Sequence, residues 1–255
     1  SNKMKKFIRN IIHKLGYDLK KIDKEFSNPS LEDILKKKIS ENPIIFDVGG
    51  NKGQSVNKFK KIFKQPIIHS FEPIKTEFNI MYEQFKDDDN VKLNNYALGE
   101  IEEEKNFNIS AQTGASSFNK INNNSRWIKV RSKEYKTTIN EFVTTTKVKI
   151  STLDDYFLNN KVDHIDLLKI DTQGYEDKVL QGSKNTLKQN KIKAIVTEIM
   201  FDNVYDKYFS FSDLEKFLLP NNFRMVGIYL YSNSLFDNLT FFADVCYFNE
   251  NYYDL

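Results

Sequence analysis

A single cysteine, Cys246, stands among 255 residues, so no intramolecular disulfide can form. It lies in the apolar alternation FFADVCYF, where a buried, inert thiol is the simplest reading. Histidine is almost as scarce. His13, His69 and His164 are scattered, and no C-x-x-C or H-x-x-x-H pair suggests a zinc site. Neither sign of charge dominates: 38 basic and 35 acidic residues leave +3, which argues against a general nucleic-acid binder. No run approaches the roughly 18 apolar residues of a membrane span. Lys and Arg interrupt the apolar residues near the N-terminus, so a signal peptide is not expected either, and a cytoplasmic protein is.

What is abundant is core-forming. Apolar residues make up 40% of the chain, with 21 Phe and 13 Tyr, enough for a sizeable globular core. Residues 4–15, MKKFIRNIIHKL, place Met4, Phe7, Ile8, Ile11, Ile12 and Leu15 at helical spacing with Lys5, Lys6, Arg9 and Lys14 between them. Such a basic amphipathic helix can lie on a membrane surface, or pack its stripe on the domain or on a second subunit of a homodimer. It belongs to a helical extension over residues 1–40, with the main domain over 41–255.

From residue 43 strands and helices alternate. Pro43–Asp47 reads as a buried strand, Gly53–Phe63 as a helix, Pro66–Glu72 as a strand, Thr76–Phe85 as a helix and Val91–Leu98 as a third strand. That rhythm predicts a parallel, doubly wound sheet. It breaks over 100–148, where Lys105–Ser110 and Lys147–Ser151 read as short strands enclosing a long polar loop. It resumes at STLDDYF, a helix start with Ser151 or Thr152 as cap and Asp154 and Asp155 in the dipole-favoured first turn. Ile165–Asp171 is then a strand, Tyr175–Gln189 a helix, Ile192–Ile199 a strand, and Phe211–Leu219 a helix stopped by Pro220. Two final strands, in FRMVGIYLYSNS and LTFFADVCYF, are expected to be antiparallel.

IIFDVGGNKGQS, residues 44–55, ends the first strand in glycines. Ligands of open α/β sheets sit at such carboxyl ends. The dinucleotide fingerprint G-x-G-x-x-G fits nowhere in it, and Asp47 suits an ammonium or sulfonium better than a diphosphate. Glu72 ends the second strand, where a carboxylate can accept both hydroxyls of a ribose, although a strand-end charge facing water explains it too. A nucleoside without phosphates, such as S-adenosylmethionine, has the matching character.

The ordered set D-V-G-G-N-K-G-Q-S, S-F-E-P, N-Y-A-L-G, S-T-L-D-D and L-L-K-I-D-T-Q-G-Y-E, from Ile44 to Glu198, resembles the FkbM family of S-adenosylmethionine-dependent O-methyltransferases. D-x-G-x-x-x-G alone is common to many methyltransferases; T-L-D-D followed by K-I-D-x-x-G-x-E is specific. The resemblance implies a Rossmann-like class I methyltransferase: an α/β fold with a seven-stranded, mostly parallel sheet, an antiparallel last strand and helices on both faces. It implies that Asp47, Gly49, Asn51 and Gly53 form the loop around the methionine half, with Gly50, Gln54 and Ser55 also binding the cofactor, that Glu72 holds the ribose, that Asn95 and Ala97 border the adenine, and that Asp171 lies near the methyl group. Ser116 and Ser117 fall where the resemblance implies a small polar pair beside the cofactor. Departures are Gln173, where relatives usually have Glu, the bulky Tyr175, and Gly50, where Ala is common.

An alcohol acceptor must lose a proton, and the candidates for the base are Asp171, Glu176 and Glu198. Asp171 could instead cap the next helix, and Glu176 and Asp177 could be first-turn charges. A metal-assisted route ranks second, since the sequence offers oxygens but no ligand cluster, and none is assigned. His69 reads as a satisfied core residue, and His164 as lying far from the site. Trp127, Tyr135 and Arg126 could meet a substrate ring. The expected acceptor is a hydroxyl of a sugar, a glycan (lipid-linked ones included) or a small natural product, with no nucleic-acid partner. The other class kept open is a non-catalytic adenosyl-ligand-binding module.

Overall fold

The computed structural model describes residues 8–9, 11–14, 29–111, 113–134, 136, 143–230 and 240–253. The chain divides into two compact units, residues 1–30 and 31–255. In the first, residues 8, 9 and 11–14 are helical, and the rest of the helix expected over 4–15 lies outside the described residues. The second opens with α1 (Leu31–Lys38). Leu35 and Ile39 are buried in its core, so the boundary falls near residue 30 rather than 40: a helix whose apolar face is part of the domain core is no extension of it.

Seven strands form the main sheet: β1 (Ile44–Val48), β2 (Ile67–Phe71), β3 (Val91–Asn94), β7 (Leu167–Ile170), β8 (Ala194–Met200), β9 (Phe223–Leu230) and β10 (Phe242–Asn249). Their order is β3-β2-β1-β7-β8-β10-β9. All pairings are parallel except those of β10, which runs antiparallel to both β8 and β9. This is the seven-stranded class I methyltransferase sheet expected from the sequence. Side chains alternate between two cores. Phe46, Leu168, Ile195 and Val245 face one layer; Ile45, Leu167, Val196 and Cys246 face the other. The second layer holds α1, α2 (Gln54–Ile62) and α3 (Lys75–Phe85), through Leu35, Val56, Phe59, Phe78 and Met81. The first holds α5 (Leu153–Asn159), α6 (Glu176–Gln181), α7 (Lys184–Lys188) and α8 (Phe211–Leu218), through Leu153, Val179, Leu187 and Leu214. Cys246 is fully buried, and burial pushes its thiol up to about 12.

Two elements are interrupted. The third expected strand splits, because Ala97–Leu98 (β4) leaves the main sheet and pairs with β6 (Val143–Ser151). The helix expected over Tyr175–Gln189 breaks into α6 and α7 at Gly182, where a Cβ would fall 1.9 Å from the carbonyl oxygen of Gly99. Thr152 caps α5 as expected, its Oγ1 accepting from the Asp155 N–H.

The segment read as a long loop is folded. β5 (Glu103–Ser110) pairs antiparallel with β6, making a small sheet in the order β4-β6-β5. α4 (Arg126–Glu134) lies between them in sequence. Its Trp127 and Ile128 pack on Met200, Val204, Tyr205 and Phe241, which anchors the insertion over the carboxyl end of β8. An apolar stripe of only two or three residues in a nine-residue helix is a weak periodic signal, so it reads as loop until its partner surface is known.

Candidate active site

Strand order reverses between β1 and β7, so the turns that leave their carboxyl ends diverge and open a crevice. A cleft occupies this point, with about 610 Å³ of empty space counting its open mouth. Val48 at the end of β1 and Gly49 and Asn51 after it line it, with Glu72 to Ile74 after β2, Ala97 and Leu98 from β4, and Asp171 to Gln173 after β7. Thr113, Gly114, Ser116 and Phe118 of the insertion form its roof, with Phe107 from β5.

The turn after β1 is set by hydrogen bonds. The N–H groups of Gly49 and Gly50 both donate to the carbonyl of Phe71, and Gly49 has φ +90°. A Cβ on Gly49 would fall 2.0 Å from the carbonyl oxygen of Asp171, so β1 and β7 approach here as only glycine permits. Glu72 is 4% exposed. Its Oε2 accepts from the Asn51 N–H at 2.8 Å and its Oε1 from the Ile74 N–H at 2.7 Å. Burial raises its carboxyl to about 7; the two backbone donors oppose this, and the charges of Glu77 and Asp47 add to it.

Several residues named from the sequence lie elsewhere. Asp47 is fully buried beneath the cleft and does not line it. Its Oδ2 accepts from Ser70, and its Oδ1 lies 3.2 Å from Lys169 Nζ. The counter-ion expected from a ligand is therefore supplied by the chain itself. Lys169, which the sequence reading passed over, also donates to the Gly49 carbonyl at 3.1 Å and lies 3.4 Å from Asp171 Oδ2. Burial works against its charge, but Asp47 and Asp171 hold its ammonium above the usual range. The signal was one Lys inside LLKID, a buried strand. Gly50 and Gly53 face Met81 and Phe85 of α3, Gln54 accepts from the Lys52 N–H, and neither Gln54 nor Ser55 lines the cleft. Asn95 is not in the wall either; its Nδ2 donates to the carbonyl of Glu72 at 2.8 Å and braces that strand end.

Beyond Asp171 the acids gather. Gln173 Nε2 donates to Asp171 Oδ1 at 2.9 Å and to Glu198 Oε2 at 2.6 Å. Burial raises the Glu198 carboxyl well above the carboxylate range, and Asp171, Glu176 and Asp244 add to this while Lys169 opposes it. Glu176 is turned away: its Oε1 accepts from the Thr172 and Gly174 N–H groups and from the Thr172 hydroxyl, so it braces the 172–174 turn. Burial raises it to about 7. Ser117 Oγ donates to the Gln173 carbonyl at 2.7 Å, and Ser116 lines the cleft, so the insertion is tied to the same turn.

His69 is buried with Nδ1 2.8 Å from the Tyr156 hydroxyl, and burial lowers it to about 4. His164 pairs with Asp166 just before β7, at the opposite end of the strand from Asp171. Trp127, 4% exposed, is core rather than a substrate platform, and Tyr135 lies outside the described residues.

A family model described as the methyltransferase FkbM domain matches residues 47–225. The chain belongs to the FkbM methyltransferase family. Its members depend on S-adenosylmethionine. The 2-O-methyltransferase NoeI of Sinorhizobium fredii is 26% identical over 165 residues, 65% of this chain and 66% of that protein, just under two thirds of its length. Among solved structures, fibrillarin of Aeropyrum pernix with bound S-adenosyl-L-methionine is similar at TM-score 0.44 and 12% identity, covering 85% of this chain and 72% of the other. Precorrin-6y C5,15-methyltransferase of Geobacter metallireducens is similar at TM-score 0.43 and 8% identity, covering 89% and 95%.

The cleft fits the cofactor. Glu72 is a wall carboxylate already oriented by two backbone donors, and Asn51 Oδ1 is a buried acceptor with no hydrogen-bond partner among the described residues. Cationic ligand groups would meet Asp171 at the far end; Glu198 does not line the cleft and stands behind it, joined to Asp171 through Gln173.

Proposed function

We propose that this methyltransferase transfers the methyl group to a hydroxyl of a sugar, in a glycan or a natural product. The observation that carries the reading is the Asp171–Gln173–Glu198 cluster beside the cofactor cleft. An alcohol must shed a proton as it attacks, and a carboxylate raised by burial is a competent acceptor. The similarity to a protein named as a 2-O-methyltransferase supports oxygen as the acceptor atom.

S-adenosylmethionine, when bound, supplies a methyl group made electrophilic by its sulfonium. Glu72, with one backbone donor on each oxygen, keeps lone pairs for the two ribose hydroxyls. Asn51 Oδ1, an unpartnered buried acceptor among the described residues, would accept from the cofactor's amino-acid tail. Phe71, Leu98, Phe107 and Phe118 give apolar walls that exclude water around the base. Glu198 takes up the acceptor's hydroxyl proton, and Asp171 adds negative charge beside the cationic centre.

Methyl-labelled S-adenosylmethionine offered with polysaccharides, nucleic acid and protein tests this. Label is expected in carbohydrate as a base-stable ether. Label found only in nucleic acid or protein would overturn the reading. In the same assay Glu198→Gln is expected to lower kcat by about 10²–10⁴-fold.

A further inference from the structure

Gln173 stands where two acids meet. One nitrogen, Nε2, lies within hydrogen-bond distance of both Asp171 Oδ1 (2.9 Å) and Glu198 Oε2 (2.6 Å). Its Oε1 lies 3.4 Å from the hydroxyl of Tyr205, which itself donates to the Ala115 carbonyl at 2.9 Å. The backbone beneath is held firmly. Gln173 has φ +58° and Gly174 φ +89°, a turn that Glu176 braces from one side and that Ser117 and Asn119 grip through the carbonyls of Gln173 and Gly174 from the other. The side chain is therefore presented in one place.

An ionised carboxylate only accepts hydrogen bonds, and a primary amide carries two N–H groups on one nitrogen. Gln173 thus offers one donor to each acid without adding charge. We propose that Gln173 is a positioning residue that lets Asp171 and Glu198 sit side by side as carboxylates at the methyl-transfer end of the cleft. The inference rests on the proposed reading of that end as the place where the cofactor's methyl group lies.

The surroundings make such a device necessary. Glu198 faces Asp244 directly across the β8–β10 pairing, Glu176 from α6, Asp171 and Lys169 from β7 and the turn after it, and the buried Tyr205 from the loop after β8. Like charges opposed across strands repel. Lys169 is the one cation of this group, and it is already shared among Asp47, Asp171 and the Gly49 carbonyl. Only Gln173 bridges Asp171 and Glu198 through hydrogen bonds among the described contacts. Replacing it by Met keeps the length and removes both donors; replacing it by Glu keeps the shape and adds a third acid.

S-adenosylmethionine and S-adenosylhomocysteine differ by the methyl group and one positive charge, so the ratio of their affinities reads the charge beside the sulfonium without any acceptor. Calorimetric titration of both ligands between pH 5 and 9 is expected to show wild type favouring the cation more strongly as pH rises. The midpoint of that rise is expected to move upward by about one pH unit in Gln173→Met, and at least as far in Gln173→Glu, while the neutral ligand binds all three proteins within a few fold. Gln173→Glu serves alone if the Met variant does not fold. An unmoved midpoint, or an equal loss of both ligands at every pH, would overturn the inference and leave the cofactor reading intact. Failure of wild type to bind either ligand would overturn both.

Discussion

Glu72 carries two opposed demands. Its raised carboxyl, about 7 against 4.5 in the unfolded chain, means that the fold favours the protonated form. Glu176 behaves alike. For a group raised on folding, the stabilising contribution is complete below about pH 4.5 and is lost as pH climbs through 7, on the order of 3 kcal/mol for each such shift. The denaturant midpoint should therefore fall between pH 4.5 and pH 8. Glu72→Gln should flatten that fall, and the slope is the readout, because the amide leaves one of the Asn51 and Ile74 N–H groups facing another donor. The same substitution should weaken S-adenosylmethionine by about 10–100-fold, the worth of a hydrogen bond to a charged group. A variant that binds as wild type does would remove Glu72 from the ribose site.

Turns, more than helices or strands, build the cleft, and two glycines separate packing from binding. Gly49→Ala forces a Cβ against the Asp171 carbonyl at a positive φ, so the β1 and β7 ends must part. Its expected cost is about 2–4 kcal/mol, with loss of cofactor binding. Gly114 in the roof is different: the nearest atom to an added Cβ is Asn51 Nδ2 at 3.9 Å. Gly114→Ala should leave the thermal midpoint within about a degree, and any effect should appear in cofactor affinity alone. Chemical unfolding beside calorimetric titration of both variants makes the comparison. A Gly114→Ala protein as unstable as Gly49→Ala would show that the roof is packed far more tightly than its geometry indicates.

The cleft draws its walls from four strand ends of the main domain and from the insertion that roofs it, so ligand binding couples parts of the chain far apart in sequence. At a hundredfold over its Kd, a ligand stabilises by about 2.7 kcal/mol, roughly 5–10 °C for a chain of this size. S-adenosylmethionine and S-adenosylhomocysteine should each produce such a shift, and NAD none. Hydrogen exchange should slow on binding in residues 113–118 and 171–174 together, since Ser117 ties one to the other. Protection confined to 48–53 and 72–74 would mean that the insertion does not close over the ligand.

The strands of the main sheet and the cofactor class were legible in the chain alone, because each rests on local pattern; the strand order was not. Buried parallel strands read as apolar runs, helices as 3.6-residue stripes, and DVGGNKG and SFEP mark the ends of two strands. Residues such as Glu72 and Asp171 needed only that information, since the carboxyl ends of parallel strands all point to the same edge of the sheet. The insertion was not legible: β4 and β6 pair across more than forty residues, and Trp127 finds its partners on β8 and the loop after it. Nor was the partnership of Asp47 with Lys169, or that of Gln173 with Asp171 and Glu198. Which charge neutralises which is decided by side chains from separate strands meeting in a space too dry to leave either alone, and only tertiary packing brings them there.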